Sequence, residues 1–203
     1  MNYVNRLESY HNQYIDLIRR MISVDSGNIY HVDMYAIAAI QRSINILDGF
    51  IKLIKDRNII AAAPLLRLQI DTCLRFYAVF IVEKPHEFAL KVLEGEHVRR
   101  MKDSKGKKMT DAYLVTELAS NENILWLQDV YDHTSGYIHL SDKHILNTFR
   151  KGENNTLEGI IGLGDSHIMT HDIYIEAINT FEEATRLFMA HIEGWINSKE
   201  SPR

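Results

Sequence analysis

Between Asp33 and Val82 the chain carries two long apolar-periodic segments with almost nothing between them, and that pairing restricts the fold more than any other feature. Ile37, Ile40, Ile44, Leu47, Ile51 and Ile54 recur at three- and four-residue intervals, the spacing that puts side chains on one face of an α-helix. A helix is expected from about Asp33, its candidate cap, to Arg57, with Asn58 as a break. A second is expected over about Ile59–Val82, opening on an alanine run that permits close packing. Pro64 sits several residues in, and its place is the first turn if the helix starts late. Long helix, short break, long helix implies an antiparallel hairpin.

The flanking sequence extends the helical pattern. Val4, Leu7, Tyr14, Leu17, Ile18 and Met21 mark a stripe over about Tyr3–Ser23, and Asp25-Ser26-Gly27-Asn28 is a turn signal. Shorter helices are expected at Pro85–Leu93 and at Thr110–Ala119, where Thr110 is the candidate cap. Asn121 or Asn123 caps the helix after that. A final amphipathic helix is expected over about Thr170–Asn197, with Ile173, Ala177, Phe181, Ala184, Phe188 and Ile192 as its stripe. Between these, Ile145–Arg150 and Thr156–Leu163 flank KGENN, which reads as a β-hairpin. The expected fold class is all-α: an antiparallel helical bundle, one domain over residues 1–203, with one small β-hairpin near residues 145–163.

Length fits that reading, since 203 residues with 46% hydrophobic content can bury one proper core. A net charge of -4 argues against a general nucleic-acid coat but leaves room for a local basic groove. The run Gly95–Lys108, GEHVRRMKDSKGKK, reads as a basic, mobile connection. It is either a solvated loop or a surface for a phosphate backbone or an acidic partner. Cys73 is the single cysteine, so the chain has no internal disulfide and no cysteine-only metal site. It fits a reducing cytoplasm and, lying in an apolar segment, reads as a buried inert thiol. The N-terminal residues lack the apolar stretch of a signal peptide. Residues 59–82 are interrupted by Arg67, Asp71 and Arg75, so no membrane span and a cytoplasmic location are expected.

Two stretches carry candidate chemistry. Arg67, Asp71 and Arg75 are spaced by four within an apolar helix and should line one face. Buried charges must pair, so Asp71 is expected to meet Arg67 or Arg75. Two arginines sharing one carboxylate leave a positive surplus, which could receive a phosphate, a carboxylate ligand or an acidic residue of another helix. The second stretch, Asp129–His144, gathers His133, His139 and His144. Continued as a helix, it stacks Tyr131, Ser135 and His139 on one face, with Asp132 beside them. A histidine can exchange protons near neutrality. The alternative is that Ser135 bonds back to its own helix and His139 satisfies a buried polar group. Glu8–His11, Glu83–His86 and Glu94–His97 match a Glu-x-x-His spacing, and His167 and His171 lie four apart. These matches leave a metal-binding bundle as a third option, while no metal ligand and no cofactor are assigned.

At Tyr131–Ser141, YDHTSGYIHLS, the chain resembles bacterial HEPN-like helical-bundle proteins, including abortive-infection-associated groups linked to phage defence. Their late helix carries a Ser, then a His four residues on, then a Ser. Catalytic members pair an Arg with the His and cleave RNA without metal, usually as dimers. Here His139 matches the histidine, whereas Asp132, His133 and Thr134 stand where the arginine would be. The resemblance implies a homodimer acting on or sensing RNA or a nucleotide-like ligand. His139, Ser135 and Tyr131 would be its catalytic candidates, and Arg67, Asp71, Arg75, His133 and His144 its ligand-binding ones. The competing class is a non-enzymatic ligand-binding or protein-interaction bundle.

Overall fold

The computed structural model describes residues 2–139, 141, 144–145, 148–159 and 170–200. It is mostly helical, as the periodicity requires. In chain order the helices are α1 (Asn2–Glu8), α2 (Tyr10–Val24), α3 (His31–Lys55), α4 (Ile59–Tyr77), α5 (Pro85–Leu93), α6 (Asp111–Ala119), α7 (Trp126–Ile138) and α8 (His171–Glu200). Two short strands, β1 (Phe149–Lys151) and β2 (Leu157–Gly159), pair antiparallel with Arg150 opposite Glu158. The expected hairpin is thus present between residues 149 and 159. Residues 160–163 of its second arm, and His167 of the 167/171 pair, lie outside the described residues.

Helix α4 is the central element, packed by α3, α6, α7 and α8. Asn58 caps it, accepting a hydrogen bond from the Ala61 N–H at 3.1 Å. Pro64 therefore lies inside the helix rather than in its first turn, and its ring removes the N–H that would bond the Ile60 carbonyl. The hairpin with α3 is antiparallel: Tyr35 reaches the carbonyl of Arg75, Arg42 that of Leu68, and Gly49 faces Leu65. A Cβ on Gly49 would stand 3.1 Å from Leu65 Cδ1, so the glycine sets how closely these helices approach. The buried face of α3 is slightly rotated from the expected stripe. Ala36, Ile40, Leu47, Phe50, Ile51 and Ile54 are buried, whereas Ile37 and Ile44 are half-covered at its edge.

Helix α8 fills the other side of α4. Phe181 stacks on Phe50 with ring centroids 4.1 Å apart, and Phe188 meets Phe76 edge-on at 5.9 Å. Helix α2 runs parallel to α8: the Tyr10 hydroxyl donates to Glu182, Arg20 pairs with Glu193, and Lys199 donates to the carbonyl of Met21. At the far end of this seam Asp33, 1% exposed, accepts from Tyr30 N–H, Trp195 Nε1 and Lys199 Nζ. Asp33 sits three residues inside the N-cap Tyr30, where it satisfies the Tyr30 N–H. No helix among the described residues is long and apolar enough to cross a membrane.

Candidate functional site: the polar face of α4 and the groove beside it

Of the three charges spaced by four on α4, Asp71 meets Arg75 as expected, while Arg67 does not join them. Asp71 takes the Arg75 Nε at 3.2 Å and Nη2 of Arg42, from α3, at 3.4 Å. Arg75 in turn pairs with Asp111 at the start of α6. Two arginines and two aspartates then make a chain of alternating charge, and Asp111 absorbs the positive surplus that Asp71 alone would leave. Arg42 also donates to the carbonyl of Leu68 at 2.9 Å and to the hydroxyl of Thr72. Arg67 stands apart. It is 8% exposed, and its guanidinium lies over the Tyr131 ring at 3.6 Å from the centroid. Its Nε has no hydrogen-bond partner, and no described carboxylate pairs with it. The quadrupole of the tyrosine face supplies attraction where an ion pair is missing. Burial raises the Tyr131 hydroxyl pKa against the opposing pull of Arg67.

The expected column on α7 is broken by the end of the helix. Ile138 is its last residue, and His139 follows in extended conformation, φ -111° and ψ 151°. His139 is exposed and lies beyond the face that carries Tyr131 and Ser135. The Ser135 hydroxyl donates to the carbonyl of Tyr131 at 2.8 Å, one turn back along its own helix. His133, also exposed, places Nδ1 2.8 Å from the carbonyl of Asp129. His144 meets the edge of Tyr137 at 6.1 Å. Of the residues singled out in the sequence, Arg67 and Tyr131 come together, as do Asp71 and Arg75. Ser135 meets this set only at the Tyr131 carbonyl, and His139 and His144 join neither pair. Among the described residues no three His, Cys, Asp or Glu side chains gather as a metal would need.

Alongside the Asp71–Arg75 pair a groove of about 680 Å³ opens between α3, α4 and the segment after α5. Tyr35 and Arg42 line one wall, Asp71 and Arg75 the floor, and Glu96, His97 and Arg99 the rim. The Tyr35 hydroxyl is used on the carbonyl of Arg75 at 3.0 Å, and burial pushes its pKa up. No family model, curated protein or solved structure matches this chain.

Sequence reasoning missed Tyr35, Arg42, Asp111 and Arg99 as members of this assembly. Arg42 had a visible signal, a charge set two residues from each of Ile40 and Ile44 within an apolar stripe. Asp111 had none, because an acid in a first helical turn is satisfied by the helix end alone. What the arrangement can do chemically is bind. Arginines from three elements line one open groove, and two carboxylates beside them can accept hydroxyl hydrogen bonds.

Proposed function

We propose that this chain is a HEPN-like helical bundle that senses an RNA or nucleotide-like ligand without cleaving it, held in the groove between α3 and α4. The observation that carries the reading is the convergence of Arg42, Arg75 and Arg99, from three separate elements, on that one groove. Arg99 has no carboxylate partner among the described residues and is exposed, so its charge is available to a phosphate. Asp71 and Glu96 supply acceptors for ribose hydroxyls. Two facts favour sensing over cleavage. The Ser135 hydroxyl is occupied by a backbone carbonyl, and His139 sits past the end of α7, away from every arginine of the groove. The resemblance adds a homodimer to the proposal, testable by sedimentation.

The test is calorimetric titration with adenosine and guanosine mono-, di- and triphosphates, alongside an RNA oligonucleotide incubation read on a gel. Binding is expected, weakened by Arg99→Ala without loss of thermal stability, and the RNA is expected to remain whole. Absence of binding to every nucleotide sinks the reading. RNA cleavage abolished by His139→Ala would replace sensing with catalysis.

A further inference from the structure

The basic run after α5 is an ordered, braced loop rather than a mobile connection. Its apolar residues Val98, Met101 and Met109 are buried, and so is Asp103, at 7% exposure. Asp103 Oδ1 accepts from the N–H groups of Lys105 and Lys107, at 3.0 and 2.8 Å. Its other oxygen accepts from the Tyr113 hydroxyl of α6. The Asp103 N–H closes the ring onto the carbonyl of Lys107, and Ser104 N–H ties the loop to the carbonyl of Ile81. Gly106 turns the chain at φ +78°, a conformation suited to glycine. Burial alone would raise the Asp103 pKa, yet these hydrogen bonds hold it below the usual carboxylate range.

This framework leaves Arg99, Arg100, Lys102, Lys105, Lys107 and Lys108 all exposed. Lys105 pairs with Glu117, and Lys107 lies over the Tyr113 ring at 5.5 Å. Glu83, Glu87 and Glu96 line the cleft that Arg100 and Lys102 border, but none of them forms an ion pair with either; Glu87 is taken by Lys84. Lys102 and Lys108 face each other as a bridged antiparallel pair. Residues so paired hold their Cβ atoms about 4.5–5.5 Å apart, and like charges there repel. The loop therefore maintains an unfavourable lysine pair, neither member of which forms an ion pair among the described residues, in a protein whose net charge is -4. An anion seated between the two lysines removes that repulsion.

We infer that the Asp103-braced loop is a docking surface for the phosphate backbone of a nucleic-acid strand, with Lys102, Lys107 and Lys108 as its principal contacts. The chemistry favours a phosphate backbone over a protein partner. An acidic protein is held mainly by apolar anchors at the centre of its interface, and this loop turns every apolar side chain inward. A phosphate backbone needs only spaced cations. The inference extends the proposed ligand class from the groove to a strand running past it, with Arg99 at the junction.

The experiment measures fluorescence anisotropy of a labelled single-stranded RNA with the full chain over a range of salt. Binding is expected to weaken linearly on a log–log plot. The triple variant K102Q/K107Q/K108Q should lower that slope by about 2 and weaken binding roughly 100-fold at 0.1 M salt, given about 0.7 per phosphate contact. A charge-matched control, K52Q/K91Q/K151Q, should bind as the parent does. Asp103→Ala makes the chain less negative yet removes the brace, so weaker binding is expected. Should that variant not fold, the two lysine triples decide alone, since all six positions are exposed. Equal losses in both triples, or no RNA binding by the parent, overturn the inference, as does preference for polyglutamate or anionic vesicles over RNA. Nucleotide titration of K102Q/K107Q/K108Q separates the two proposals. Retained nucleotide binding with lost RNA binding supports the docking surface. Lost nucleotide binding in the parent with intact RNA binding removes the groove reading alone.

Discussion

Replacing His191 should remove one identifiable part of the acid sensitivity of this fold. His191 lies on α8 against α4, with Nδ1 3.4 Å from the Cys73 Sγ and its ring 5.5 and 5.8 Å from those of Tyr77 and Phe80. No carboxylate pairs with it, and burial pulls its pKa from 6.5 down to about 4. The native state therefore keeps the ring neutral while the unfolded chain takes up a proton below pH 6.5. Stability tied to this group is complete above that value and falls as pH drops towards 4. Integrating over the two pKa values gives a loss of about 2 kcal/mol at pH 5 and about 3 kcal/mol at pH 4. Urea unfolding of the parent and of His191→Gln, at pH 7 and pH 5, isolates the effect from the carboxylates both proteins share. The variant is expected to be less stable at pH 7, and its deficit should shrink by about 2 kcal/mol at pH 5. A deficit that is the same at both pH values would falsify the argument.

Cys73 is buried, and that burial raises its thiol pKa, so a disulfide reagent should react with it only in denaturant; rapid reaction of the native protein refutes the placement. Asp33→Ala should cost about 1–3 kcal/mol in urea or thermal unfolding, because it takes one of two carboxylates from buried Lys199 and removes the acceptor of the Trp195 and Tyr30 N–H groups. Burial alone would lower the Lys199 pKa, but hydrogen bonds to Asp25 and Asp33 raise it, so the parent keeps this lysine charged. A loss below about 1 kcal/mol would show that water reaches the site. Arg67→Met should leave stability unchanged or raised, since a buried guanidinium without a carboxylate is replaced by an apolar chain of similar length. A large fall in melting temperature would show that the Tyr131 contact supports the fold.

Local periodicity carried most of the architecture. The α3–α4 hairpin, the Asn58 break, the Thr110 cap and the final helix all follow from patterns a few residues long, and each is found close to its expected place. Long-range polar pairing was not legible. Nothing local in Asp33 announces Trp195 and Lys199, and nothing in Arg67 announces Tyr131, because partners so distant in sequence leave no shared spacing. The end of α7 was hidden for another reason. No proline follows Ile138, so the sequence offers no stop signal before His139. The basic run misled in the opposite sense: its charge suggested mobility, while the Asp-Ser-Lys-Gly turn that organises it was visible at 103–106.

The parallel seam between α2 and α8 has a consequence for how the chain reaches this state. The α3–α4 contact from Arg42 to Thr72 spans 30 residues, whereas that from Arg20 to Glu193 spans 173. Closing the longer loop costs about 1.5 kcal/mol more in chain entropy, and contacts of such separation slow folding. The hairpin can therefore assemble early, while the Phe50–Phe181 stack and the Asp33–Lys199 latch wait for α8 to dock. Until then the apolar faces of α2, α3 and α4 remain open to other chains. Refolding yield should accordingly fall with protein concentration more steeply than the small size of the domain would suggest.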